Sequence, residues 1–269
     1  MIISQFSTFN FIRKKLNIQD LTDICYNFCM NSVLIGFSIA FFVLVIPAIV
    51  LTCIFDYKQK MLLKTICKGI ASLCIVIGCV FAITSDNLGI TTTKTLFLVA
   101  TICALLGDIF LSEFAKGKTK DIFTALGLLA FVATHLLYIS AFLTSASNIS
   151  KYIVFAPVVG LLAILTLIFV KIIKCPNVIT TIGVVIYSVI AFLMVGSAAN
   201  AVDYGGVPYP ALATFGALLF LFSDVILSIM NFNEKAKAQR KILFPIVLVL
   251  YYVGQMFIVY SLVMWSWIK

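Results

Sequence analysis

Long apolar runs follow one another along the chain, separated by short polar segments. A membrane-spanning helix needs about 20 apolar residues. Runs of nearly that length lie at Val33–Phe55, Gly69–Thr84, Thr95–Leu111, Ile122–Leu143, Tyr152–Val170, Val178–Ala199, Ala211–Met230 and Ile242–Ile268. The predicted fold is therefore all-α, a polytopic membrane protein of about eight transmembrane helices. These helices occupy residues 33–268, and residues 1–32 form an unassigned N-terminal extension. That extension lacks an apolar core followed by a small-residue cleavage site, so no signal peptide is expected.

Two acids interrupt the apolar pattern. Residues 105–112 read LLGDIFLS around Asp108, and residues 221–228 read LFSDVILS around Asp224. A carboxylate inside a spanning helix costs several kcal/mol, and such a residue usually marks a functional site. Neither octet contains a Lys, Arg or His to neutralise its acid. The acids fall in the third and seventh predicted helices, four helices apart, so a repeated four-helix unit would keep the same orientation. That is a parallel repeat, and sites in such proteins often lie between the halves. The next helices rhyme as well, with His135 and Tyr138 in one and Tyr252 and Gln255 in the other. Each pair is three residues apart and shares a helix face.

Composition supports the membrane assignment. The chain is 63% hydrophobic and 11% charged, against about 25% charged residues in soluble domains. Its formal charge is +9, and the positive charge is unevenly placed. Lys58, Lys60, Lys64, Lys68, Lys116, Lys118, Lys120, Lys171, Lys174, Lys235, Lys237, Arg240 and Lys241 all fall on one side of an eight-helix topology. The positive-inside rule puts those segments in the cytosol and both termini outside. The charge is read as topology, compatible with attraction to anionic lipid head groups. No nucleic-acid partner is expected. The eight cysteines lack zinc-ribbon spacing and read as small buried hydrophobes.

If the two aspartates meet, burial and mutual repulsion favour keeping one of them protonated, and the pair would titrate as a unit. A protonated acid beside an ionised one suits acid–base hydrolysis. A packing hydrogen bond to a neighbouring helix, or a proton relay in a carrier, explains the same residues. His135 is the only histidine, which excludes a His-rich zinc centre. No metal and no cofactor is expected. Tyr138, Tyr187, Tyr252 and Gln255 are polar groups within spanning helices, where interhelical bonding is the commonest role.

At these residues the chain resembles the lysoplasmalogenase family of YhhN-like membrane proteins. The resemblance rests on GDIFL (107–111), LGLLAFVATHLLYISAF (126–142), GALLFLFSD (216–224) and YYVGQM (251–256), in that order. Lys64 and Tyr187 also look like family positions. Leu250, Gly254 and Asn231 depart from residues the family often carries, which are Thr, Ala and Lys. The resemblance implies an integral-membrane hydrolase that cleaves the vinyl ether bond of lysoplasmalogens. The products would be a fatty aldehyde and glycerophospho-ethanolamine or -choline. It also implies that Asp108 and Asp224 are the catalytic acids, and that a lysophospholipid and the surrounding membrane lipids are the partners. Lys64, His135, Tyr138, Tyr187, Tyr252 and Gln255 are supporting candidates.

Helix rise sharpens these expectations. At about 1.5 Å per residue, Asp108 lies roughly 5 Å and Asp224 roughly 10 Å inside the cytosolic boundary. His135 and Gln255 lie about 20 Å in, which would keep them away from a bond just below the head group. Replacing either acid by Asn is expected to leave thermal stability unchanged or raised, because a desolvation cost disappears. The alternative function is a proton-coupled carrier or lipid-binding membrane protein using the same two acids.

Overall fold

A computed structural model describes residues 18–85, 91–111, 118–144, 178–200 and 208–268. Among these residues there is no strand. The helices are α1 (Ile18–Tyr57), α2 (Met61–Thr84), α3 (Thr92–Phe110), α4 (Lys118–Thr144), α5 (Val178–Asn200), α6 (Pro208–Phe232), α7 (Glu234–Ala238) and α8 (Arg240–Ile268). All but the short α7 are long and apolar enough to cross a membrane, giving seven spans among the described residues. The expected span Tyr152–Val170 lies outside them.

Several helices begin earlier than hydropathy alone indicates. α1 starts at Ile18 rather than Val33, α2 at Met61 rather than Gly69, and α4 at Lys118 rather than Ile122. Hydropathy marks the stretch that lipid surrounds, whereas a helix continues through any residues of adequate propensity, lysine included. Lys64 and Lys68, expected in a loop, therefore sit on α2. The helix α7 was not expected. Asn233 caps it, its side chain accepting from the backbone N–H of Lys235 at 3.0 Å and of Ala236 at 3.4 Å, which satisfies orphan donors at the helix start.

Apolar side chains cover the outside of the bundle, with Val43, Ile46 and Val50 of α1 and Leu129 of α4 all exposed. In lipid this face needs no partner, so small residues and polar contacts hold the helices together. Gly216 of α6 and Gly254 of α8 bring two backbones into contact. A Cβ added to either glycine would lie 2.7 Å from the other's carbonyl oxygen. Gly107 of α3 similarly makes room for the ring of Phe131 on α4, which an added Cβ would meet at 2.7 Å.

The helix neighbours recur with a fixed step. α2 packs on α3 and α3 on α4; α5 packs on α6 and α6 on α8. The cross-contacts match too, α8 with α2 and α4 with α5. This is the contact pattern a parallel four-helix repeat generates, with α2, α3 and α4 answering to α5, α6 and α8.

Replacing Gly216 with Val should force the α6–α8 backbones apart and cost about 1–3 kcal/mol or more. Gly36→Ala on α1, where an added Cβ meets nothing within 4 Å, should leave stability nearly unchanged. Melting temperatures of the purified variants in one detergent provide the comparison. Equal values for the two would contradict the assigned close approach.

Candidate functional site

Asp108 lies in the last turn of α3 and has no exposed surface. A carboxylate so placed must be partnered by its neighbours. Lys68 of α2 brings Nζ to 2.9 Å from Oδ1. The Tyr251 hydroxyl of α8 donates to Oδ2 at 2.9 Å, and the Ser72 hydroxyl donates to the same oxygen. Tyr252 donates to the Lys68 carbonyl at 3.0 Å, with its oxygen 3.4 Å from Asp108 Oδ2. Lys64, Lys68 and Ser72 are spaced by four on α2 and share one face. The octet around Asp108 thus lacks a cation, and the adjoining helix supplies one.

A chain of donors ends on this carboxylate. The Tyr138 hydroxyl donates to Gln255 Oε1 at 2.6 Å, and Gln255 Nε2 donates to the Tyr251 oxygen at 3.4 Å. Tyr251 has one proton, directed at Asp108, so Gln255 must donate to it with Nε2. Its Oε1 is thereby turned to Tyr138. Tyr138 and Gln255, each on the helix that follows an acid-bearing one, are thus bonded to each other.

Asp224 has different partners. Tyr187 of α5 donates to Oδ2 at 3.0 Å, and His135 Nε2 of α4 lies 3.3 Å from the same oxygen. His135 Nδ1 is 2.7 Å from the Phe131 carbonyl. A carbonyl only accepts, so Nδ1 carries hydrogen, and Nε2 is the ring nitrogen that faces the carboxylate. The imidazole is 1% exposed. Its ring centroid lies 4.8 Å from that of Phe220 and 5.3 Å from that of Tyr187.

The expectation that His135 sits far from the acids is corrected here. A Cβ on Gly127 would lie 2.9 Å from the Leu111 backbone nitrogen, so the end of α3 sits opposite the third turn of α4. The first turns of α4 extend past that level. Measured from there, His135 is about 12 Å deep. Asp224, eight residues before the end of α6, is equally about 12 Å from that end.

The two acids have separate partner sets and no shared bridging group. Between their networks, the rings of Phe131, Phe220 and Tyr251 pack against one another with centroids 5.0–6.3 Å apart. Asp108 lies against α2 and α8, and Asp224 against α5 and α4, which is the equivalent relation under the four-helix step. A narrow cleft between α5 and α6 reaches Asp224. Tyr187, Ser188, Ala191, Phe192, Leu221, Val225 and Ser228 line it with the acid, and its cavity volume is about 10 Å³, room for about one water.

Lys64 belongs to neither network. Its Nζ is 2.8 Å from Asp56 Oδ1, which also lies 3.3 Å from Arg240, and it sits 4.5 Å from the centre of the Phe244 ring. This group ties α1, α2 and α8 together at one end. Lys68, Ser72 and Tyr251 were not singled out from sequence. The spacing of Ser72 and Lys68 from Lys64, and the doubled tyrosine at 251–252, were the available signals. Among the described residues, no three His, Cys, Asp or Glu side chains cluster as a metal centre requires.

A sequence profile described as the YhhN family matches residues 63–262 of the chain. No curated protein and no solved structure gives a match.

The Lys68 contact reverses the stability expectation for Asp108. Asp108→Asn leaves an ammonium unpaired, with the Lys68 side chain only 16% exposed. The expected loss is about 2–4 kcal/mol. Adding Lys68→Met to Asp108→Asn should restore most of it. Melting temperatures of both variants decide the matter: if the double variant is no more stable than the single one, the ion pair is not what holds Asp108.

Proposed function

The chain belongs to the YhhN family, and on that footing we propose that it is an integral-membrane hydrolase cleaving the vinyl ether bond of lysoplasmalogens. The observation that carries the reading is the group formed by His135, Asp224 and Tyr187 beside a narrow crevice between two spanning helices. A vinyl ether hydrolyses when its outer carbon takes a proton, which makes the carbon next to oxygen an oxocarbenium-like cation. Water adds to that carbon and loses a proton. The resulting hemiacetal transfers a proton to the glycerol oxygen and separates into aldehyde and alcohol.

In this scheme Asp224 delivers the first proton and then, as a carboxylate beside the cation, stabilises it. His135 Nε2 exchanges protons with Asp224 Oδ2, and its Nδ1 bond to Phe131 fixes the ring in the required orientation. Tyr187 steadies the carboxylate through its hydroxyl. Asp108, ion-paired and without exposed surface, is assigned a positioning role: with Lys68 and Tyr251 it fixes α2, α3 and α8 around the aromatic rings that back the dyad. The basic segments are assigned to the cytosol by the positive-inside rule, which sets the cleft below the cytosolic head groups.

Purified protein should release aldehyde from an alkenyl-lysophospholipid without added metal, and an ester lysolipid should be a much poorer substrate. Asp224→Asn should lower turnover by a factor on the order of 10²–10⁴, and His135→Ala by a comparable factor, both with folded protein recovered. Turnover of esters but not of vinyl ethers would overturn the substrate assignment. Wild-type rates in both variants would overturn the residue assignment.

A further inference from the structure

A Ser or Thr hydroxyl on an apolar helix commonly donates to the carbonyl four residues back. Ser72, Thr134 and Ser197 do so here. Ser228 on α6 does not, and its hydroxyl bonds to none of the described residues. The carbonyl it would use is that of Asp224. The acid itself divides its oxygens unequally. Oδ2 takes the Tyr187 hydroxyl and faces His135 Nε2. Oδ1 accepts no hydrogen bond from the described residues, and the side chain keeps 12% of its surface.

Asp224 and Ser228 both line the crevice between α5 and α6, whose volume of about 10 Å³ is room for about one water. They are four apart on one helix, so they share a face with Cβ atoms about 5–6 Å apart. An oxygen bridging two such side chains sits about 2.8 Å from each, an ordinary hydrogen-bond distance. It would meet a carboxylate oxygen that accepts and a hydroxyl that can accept or donate. Ala191, Phe192, Leu221 and Val225 make much of the remaining wall apolar. A cavity holds water where two or more polar groups can bond to it, and Asp224 with Ser228 meets that condition from α6 alone.

We propose that this crevice is the site of the hydrolytic water, held between Asp224 Oδ1 and the Ser228 hydroxyl. The inference rests on the hydrolase reading and adds to it the source of the nucleophile. Once the outer vinyl carbon has taken its proton from Asp224, the acid is a carboxylate and the carbon beside the ether oxygen is a cation. The water directs one hydrogen at Oδ1 and the other at Ser228, which leaves its lone pairs to the cation. One lone pair forms the new C–O bond, and the proton directed at Oδ1 passes to Asp224 and restores the acid. One proton has moved from acid to carbon and one from water to acid, so the acid ends as it began. A site with room for one water also limits what else can add, because an alcohol is larger.

Two readouts test the site. An experimental density map of the purified protein, at a resolution that shows ordered waters elsewhere in the bundle, should show one within hydrogen-bond distance of Asp224 Oδ1 and Ser228 Oγ. Turnover of an alkenyl-lysophospholipid in dilute methanol reads the step after protonation, because methanol adding to the cation leaves a mixed acetal where water leaves aldehyde. Wild-type protein should form aldehyde with almost no mixed acetal. Ser228→Ala removes one hydrogen bond to the water and widens the crevice, so the ratio of acetal to aldehyde should rise roughly three- to tenfold, the worth of one neutral hydrogen bond. Three results would each overturn the site: no water there in such a map, a wild-type ratio equal to that of acid-catalysed hydrolysis in the same solvent, or an unchanged ratio in Ser228→Ala. Aldehyde release together with any of these leaves the hydrolase reading standing and removes the water site. An ordered water with no turnover by wild-type protein removes the hydrolytic role together with the hydrolase reading and leaves a bound water.

Discussion

A carboxylate surrounded by hydrocarbon must find its partner on another helix, because its own helix offers only satisfied backbone. That requirement organises this bundle. Asp56 draws Lys64 and Arg240 together and joins α1, α2 and α8. Asp108 collects Lys68, Ser72 and Tyr251 and joins α2, α3 and α8. Asp224 collects His135 and Tyr187 and joins α4, α5 and α6. With no hydrophobic drive between helices in lipid, these polar knots and the glycine contacts give the bundle its specificity.

The two halves hold equivalent acids in equivalent helix environments but surround them with different chemistry. One acid has a lysine and hydroxyl donors on every side and no exposed surface. The other has a histidine that turns Nε2 toward it, a tyrosine, and a narrow crevice beside it. On the proposed hydrolase reading, one copy of the motif would keep the frame and the other would carry the proton transfer. The bond between Tyr138 and Gln255 links α4 to α8.

Much of the fold was legible in the sequence because lipid imposes a length and a composition on anything that crosses it. Both acids and the helices that carry them followed from hydropathy, and the ordered motifs carried the family. The pairing was harder to read. Lys68 looked like a loop residue because hydropathy ends a span at the first lysine, although the helix continues through it. His135 was placed too deep because depth was counted from the start of an apolar run. The stagger of α4 against α3 is set by the packing of Gly127 on Leu111, which no count along one helix reveals. Spacing along one helix singles out Tyr252 and not Tyr251, because adjacent residues on a helix point about 100° apart. Only the tertiary arrangement lets both hydroxyls approach one carboxylate.

The central claim is that His135 and Asp224 act as one proton-exchanging unit. A double-mutant cycle on the rate of aldehyde release tests it most directly, using Asp224→Asn, His135→Ala and the pair together. Residues that act as a unit are strongly non-additive. The account predicts that His135→Ala costs little or nothing further once Asp224 is already Asn. Full additivity, with each substitution lowering the rate by the same factor whether or not the other is present, would contradict it.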